Sequence, residues 1–185
     1  LTEQFGRYDI PLQAVENRLP AFLALMLTSL QSTAAGYLPQ WGIDAHLLQA
    51  ARSLPDPPEI RQIESYEWLM ALLAGLPQTA EIIVDTLRDL DDNPQLWQDI
   101  ETAWRNGDDN LLEQRVLVEP LRRDPAQAPL YETLFFSRNP GMATALRDCM
   151  ERGERCFMVV GAGHLVGERG VLTILRAAGY RVPQR

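Results

Sequence analysis

The chain has 185 residues, 46% of them hydrophobic, which suffices for a sizeable core and lies outside the composition of disordered segments. A formal charge of -8 and a pI near 4.8 argue against a nucleic-acid partner, which needs clustered cations. All 17 cationic side chains are arginine, so no lysine is present for Schiff-base chemistry or a P-loop, a bias that GC-rich codon usage also explains.

Asp9 and Pro11 predict a helix start running through Leu19, and Pro20 predicts a restart toward Gly36. The run "AFLALMLTSL" at 21–30 is too short to span a bilayer and reads as a buried helix; this chain contains no transmembrane segment. The sequence opens at "LTEQFGRYDI" without an initiator methionine, so a removed signal peptide, and with it a periplasmic or exported location, is consistent with it.

Ile43, Leu47, Leu48 and Ala51 recur at helical spacing until "LPDPP" forces an extended path. "EIRQIE" (59–64) then predicts a short strand, and Ser65 caps a helix carrying Trp68, Leu69, Leu72 and Leu73. From Pro77 to Asp124 three helical pieces follow, the clearest capped by Asn93, with Pro94 in its first turn and Gly107 at its end. Trp97 and Trp104 read as its core face, and "DLDDN" as a solvated linker.

A helix spans Pro129 to about Ser137, and another runs from Asn139 to Gly153. The last thirty residues predict a strand at "CFMVV", a glycine loop, a helix over "ERGVLTILRAAG" and a final extended "YRV". Cys149 and Cys156 are too few for a disulfide scaffold and form no C-x-x-C pair.

The fold class expected is α/β and predominantly helical, in one domain over 1–185. Its body at 10–153 is mainly helical with a strand near 59–64, and a strand-helix-strand unit fills 154–185. Two or three short strands make a small, parallel, incomplete sheet whose edge would pair with a second copy, so a homo-oligomer is expected.

Chemistry concentrates in "VVGAGHLVGERG" (159–170). Its G-x-G-x-x-x-G lacks the acid about twenty residues on that a dinucleotide site needs. Alternatively His164 is its point, at the carboxyl end of a strand where ligands collect, with Gly161 and Gly163 allowing close approach. A histidine satisfied inside a turn accounts for the loop equally well.

Glu64 also ends a strand, so Glu64 and His164 can meet at one sheet rim as an acid-base pair or as two ligands of a divalent metal. Two ligands are not enough for a catalytic zinc, and His46, in a helical stretch, reads as a surface residue. Arg138 and Asn139 can grip an anionic substrate or hold Glu64; the simpler reading makes Asn139 a helix cap and Arg138 a surface charge.

Taken in order, "GIDAHLLQAAR", "IES", "AWRNGD" and above all "LFFSRNPGMATALRDCMERGERCFMVVGAGHLVGERGVLTILRAAGYRV" resemble the TraB/PrgY/GumN family, to which the Tiki-type proteases are related. The resemblance implies a metal-dependent hydrolase or peptidase related in fold to the erythromycin esterase and ChaN-like group, acting on a peptide or small molecule. By that pattern, Gly161, Ala162, Gly163 and His164 match the second of two G-x-x-H motifs. Glu64 stands at the acidic position, and Arg138 and Asn139 match an R-N pair.

The first G-x-x-H is absent here, which implies a fragment lacking the opening strands and inactive alone. Ser65 replaces a threonine, and "LPDPP" stands where a G-K is common. A non-catalytic binding or regulatory module is the alternative.

Overall fold

The computed structural model describes residues 1–76, 80–93 and 95–183, gathered into two compact units, Leu1–Pro94 and Gln95–Arg185. Unit 1 holds α1 (Thr2–Gly6), α2 (Pro20–Ala34), α3 (Ile43–Arg52), α4 (Tyr66–Gly75) and α5 (Ala80–Asp92). Pro20 opens α2 as expected, and Ala21, Leu23, Ala24 and Leu27 form its buried stripe. That stripe packs on α5, where Ile83 joins Phe5, Val15, Leu23 and Leu27 in one core. Burying each large apolar side chain contributes about 1.5–3 kcal/mol.

Ser65 caps α4 as expected, its Oγ accepting from Trp68 N at 3.1 Å. The helix expected over 10–19 is instead one 3-10 turn, Leu12–Ala14, and Asp9 adopts a positive φ of 58° rather than capping it. α3 lies where its apolar spacing put it, yet none of its residues is buried, and His46 is exposed on it. Pro77, expected to begin the helical stretch, and Pro94, expected in the first turn of its helix, lie outside the described residues.

Unit 2 holds α6 (Leu96–Asn106), α7 (Asp109–Glu113), α8 (Glu119–Arg123), α9 (Ala128–Tyr131), α10 (Asn139–Glu151) and α11 (Val171–Ala177). Gln95, not Asn93, is the N-cap of α6, and Gly107 closes the helix in the left-handed conformation. Trp104 is 54% exposed and is not core. Asp108 caps α7 through Leu111 N at 2.9 Å.

Two π turns interrupt the helices, Gln114–Val118 and Glu132–Phe136; in the second, Ser137 N reaches back five residues to Glu132 O at 2.9 Å. Unit 2 has two apolar clusters. One gathers Ala103, Leu112, Leu117 and Val166, the other Met142, Ala143, Val171 and Leu175.

The expected sheet is overturned: among the described residues there is no strand. "CFMVV" keeps the two-residue period, with Met158 and Val160 packed on the α10 and α11 cluster while Phe157 is 81% exposed and Val159 faces outward. A period of two reports which face packs; a ladder needs a second chain to take the backbone N–H and C=O groups. "EIRQIE" likewise forms no strand and bends at its last two residues, with Ile60 and Ile63 exposed and Arg61 paired locally with Glu59 at 2.6 Å.

Candidate functional site

The residues from Gly161 onward turn tightly, His164 N donating to Gly161 O at 2.9 Å and Leu165 N to Ala162 O at 3.0 Å. This 3-10 turn, Ala162–His164, sits at the seam of the two apolar clusters: Ala162 and Val166 pack with one, Leu165 with the other. The π turns press on it. A Cβ at Gly163 would lie 2.9 Å from Phe135 Cε1 and 3.0 Å from Val116 Cγ1, one residue from each π turn.

Gly170 is as constrained, because a Cβ there would drive into the carbonyl oxygens of Val166 and Leu165. Gly161 differs, with only His164 Cδ2 at an ordinary 3.7 Å. Much of the glycine content of this loop thus serves close packing of the backbone.

His164 is 7% exposed and Asn139 1%, and these are the buried polar side chains among the described residues. Asn139 is the first residue of α10 and makes no cap hydrogen bond, so the expected helix-cap role is corrected. Its side chain turns inward instead. Asn139 Nδ2 donates to Arg169 O at 2.7 Å, and Asn139 Oδ1 faces His164 Nδ1 at 2.8 Å.

This chain of contacts decides a tautomer. A carbonyl only accepts, so the amide nitrogen of Asn139 must point at Arg169 and its oxygen at His164. His164 therefore carries its proton on Nδ1, and in the neutral ring the lone pair lies on Nε2. The Phe135 ring lies 5.3 Å from the imidazole, tilted by 43°.

Arg169 is itself held. Its guanidinium makes two hydrogen bonds to Glu132, at 2.6 and 2.7 Å, and lies 4.4 Å above the Phe136 ring. These hydrogen bonds hold the Glu132 carboxyl below its ordinary value and raise Arg169, so both stay charged at neutral pH. Arg138 Nη1 donates to Leu134 O at 2.6 Å, within the second π turn.

A groove of about 400 Å³ runs beside the turn, walled by Leu117, Leu121, Phe136 and Val166 with Glu113 and Arg169 among its polar residues. His164 is not among its lining residues. Glu64 lies in unit 1, half-buried, directly before the Ser65 cap. The sheet rim on which Glu64 and His164 were expected to meet does not exist among the described residues, and each is described within its own unit.

A family model described as TraB/PrgY/gumN matches residues 1–184. The chain belongs to the TraB/PrgY/gumN family. Among curated proteins it is similar to the uncharacterized protein YbaP of Escherichia coli (strain K12) and to that of Shigella flexneri. Each is 30% identical over 161 residues, covering 83% of this chain and 55% of the relative. The chain thus spans about half the length of these family members, and no solved structure matches it.

Among the described residues, the sequence singled out His164 and Asn139, which the structure pairs, but not Arg169, Glu132, Phe135 or the π turns that surround them. Nor did it single out the disulfide between Cys149 and Cys156. The Asn139 contact spans 25 residues and the Arg169–Glu132 pair 37, separations that no local periodicity reports.

Proposed function

We propose that His164 Nε2 is the reactive nitrogen of a hydrolytic centre of the TraB/PrgY/gumN type, acting on a peptide or ester bond. The observation that carries this reading is the buried His164–Asn139 pair with its single tautomer. Nε2 takes a proton from the attacking water while the Nδ1 proton stays on the ring, donated to Asn139 Oδ1. Asn139 is a neutral acceptor that orients the ring and stabilises the imidazolium without accepting its charge. Arg138 is the anchor for substrate in this proposal, and Gly161 and Gly163 let backbone and substrate come close.

In the metal part of the reading, His164 Nε2 is one imidazole donor to the ion in place of acting as the base. A divalent ion, when bound, polarises a carbonyl and acidifies water. A catalytic site needs about three protein donors, and among the described residues no three His, Cys, Asp or Glu side chains gather to hold an ion. The described donor set does not fit a complete site, so no step above passes through a metal. Metal content by mass spectrometry tests that part separately.

The hydrolytic reading is tested on the longest form of the protein with peptide and ester substrates, with zinc, manganese or cobalt supplied. His164→Ala is expected to lower kcat/KM by about 10²–10⁴-fold, the span of a general base. Unchanged hydrolysis would remove the assignment.

The second reading, a non-catalytic binding module, is favoured by the groove that His164 does not line. Ligand binding indifferent to His164→Ala, with no turnover, would support it. Self-association is proposed on the exposed Phe157 and Val159, and a strict monomer by light scattering would contradict it.

A further inference from the structure

We propose that the Cys149–Cys156 disulfide is a redox site that clamps the chain entering the His164 turn onto α10, so that opening it weakens the buried His164–Asn139 pair. The proposal stands on the geometry of unit 2 and not on hydrolysis.

α10 holds the returning chain at both ends. At its first residue Asn139 meets His164, and near its last turn Cys149 is bonded to Cys156, with the two Cα atoms 6.4 Å apart. That separation lies within the span a disulfide bridges. Seven residues lie between the covalent hold at Cys156 and the hydrogen-bonded hold at His164.

The stretch between the two holds has little else. Among the described residues no strand ladder ties 157–160 to a neighbour; Met158 and Val160 pack on the α10 and α11 cluster while Phe157 and Val159 face outward. On the other side of Cys156, the chain leaves α10 through Gly153, whose N donates to Met150 O at 2.9 Å, and an exposed Arg152–Glu154 ion pair at 2.9 Å. Exposed pairs of this kind contribute little. Opening the disulfide therefore leaves the entry to the turn held by the packing of Met158 and Val160 and, next to α10, by the backbone bonds Gly153 N to Met150 O and Glu154 N to Cys149 O.

The chemistry is thiol–disulfide exchange. A thiolate of an incoming dithiol attacks one sulfur, forming a mixed disulfide and expelling the other cysteine as thiolate. The second thiol of the reductant then closes its own disulfide, and the two electrons and two protons end on Cys149 and Cys156. The reverse exchange, with a disulfide-carrying dithiol oxidoreductase as oxidant, makes the bond. Both cysteines are only half-buried, open to such attack. An oxidising compartment keeps the clamp shut and a glutathione-buffered one opens it.

The test compares the oxidised protein with the same protein in dithiothreitol and with Cys149→Ser/Cys156→Ser. Arg152 and Arg155 lie between the cysteines and offer tryptic sites. Iodoacetamide should add two labels only after reduction. Tryptic cleavage at Arg155 should rise about tenfold on reduction, as expected when a local opening becomes easier. The Nδ1–H resonance of His164 should broaden, and the double variant should match the reduced protein. Because dithiothreitol acts on protein already folded, a variant that fails to fold does not block the test.

Two labels without reductant in protein isolated from an oxidising compartment would overturn the proposal. So would a reduced protein with unchanged cleavage and an unchanged His164 signal. Neither result depends on hydrolysis, so failure here and failure of the hydrolytic reading are distinguishable.

Discussion

Every buried side chain among the described residues of unit 1 is apolar, whereas unit 2 buries His164 and Asn139 where its two apolar clusters meet. An apolar core is non-directional and accepts repacking so long as volume is kept. A core closed through a hydrogen-bonded pair is directional, since removing either partner leaves a buried donor or acceptor unmet. The contrast explains why the chemistry of this chain is read from unit 2, and it is open to direct attack by substitution.

The largest effect expected is in unit 1. Leu27→Ala should cost about 3 kcal/mol in chemical denaturation through the cavity it leaves, while Leu27→Met, which nearly keeps the volume, should cost less than about 1.5 kcal/mol. Asn139→Leu is a comparable swap in size and comes next, at about 2 kcal/mol, because the His164 Nδ1 proton then faces an apolar group. If Asn139→Leu proved as mild as Leu27→Met, the distinction between the two cores would fall.

Two glycine substitutions sharpen the picture within unit 2. Gly163→Ala forces Phe135 and Val116 apart and should cost about 1–2 kcal/mol, whereas Gly161→Ala meets no close atom and should change stability by less than about 0.5 kcal/mol. Equal effects by thermal melting would mean that the π turns do not set the tightness of the loop.

The smallest effect is electrostatic. Glu132 is held below its ordinary value of 4.5, so its ion pair contributes fully above that pH and is lost as pH falls through the lowered value of the folded state. Arg169 is raised and keeps its charge throughout. The stability difference between the protein and Glu132→Gln should shrink as pH drops below 4.5. It should be small at neutral pH, because both side chains are about half exposed.

Much of the helical framework was legible in local chemistry. Ser65 and Gly107 mark helix ends because a hydroxyl cap and a left-handed residue act within one turn, and Pro20 opens α2 for the same local reason. The strands were misread because "CFMVV" carries the burial period of a strand, yet a ladder depends on a partner that periodicity does not sense. Likewise the bond between Cys149 and Cys156 depends on the turn at Gly153, which folds the chain back beside α10. The site was half legible: His164 stood out among glycines, but Asn139 was read as a cap because its partner lies 25 residues away.

The central claim is that Asn139 fixes the tautomer of His164, and the nitrogen-15 spectrum of the imidazole tests it directly. The account predicts a protonated Nδ1 and an unprotonated, pyridine-type Nε2 in the neutral ring, with that preference lost in Asn139→Ala. A ring protonated on Nε2, or one whose tautomer is indifferent to Asn139→Ala, would contradict it.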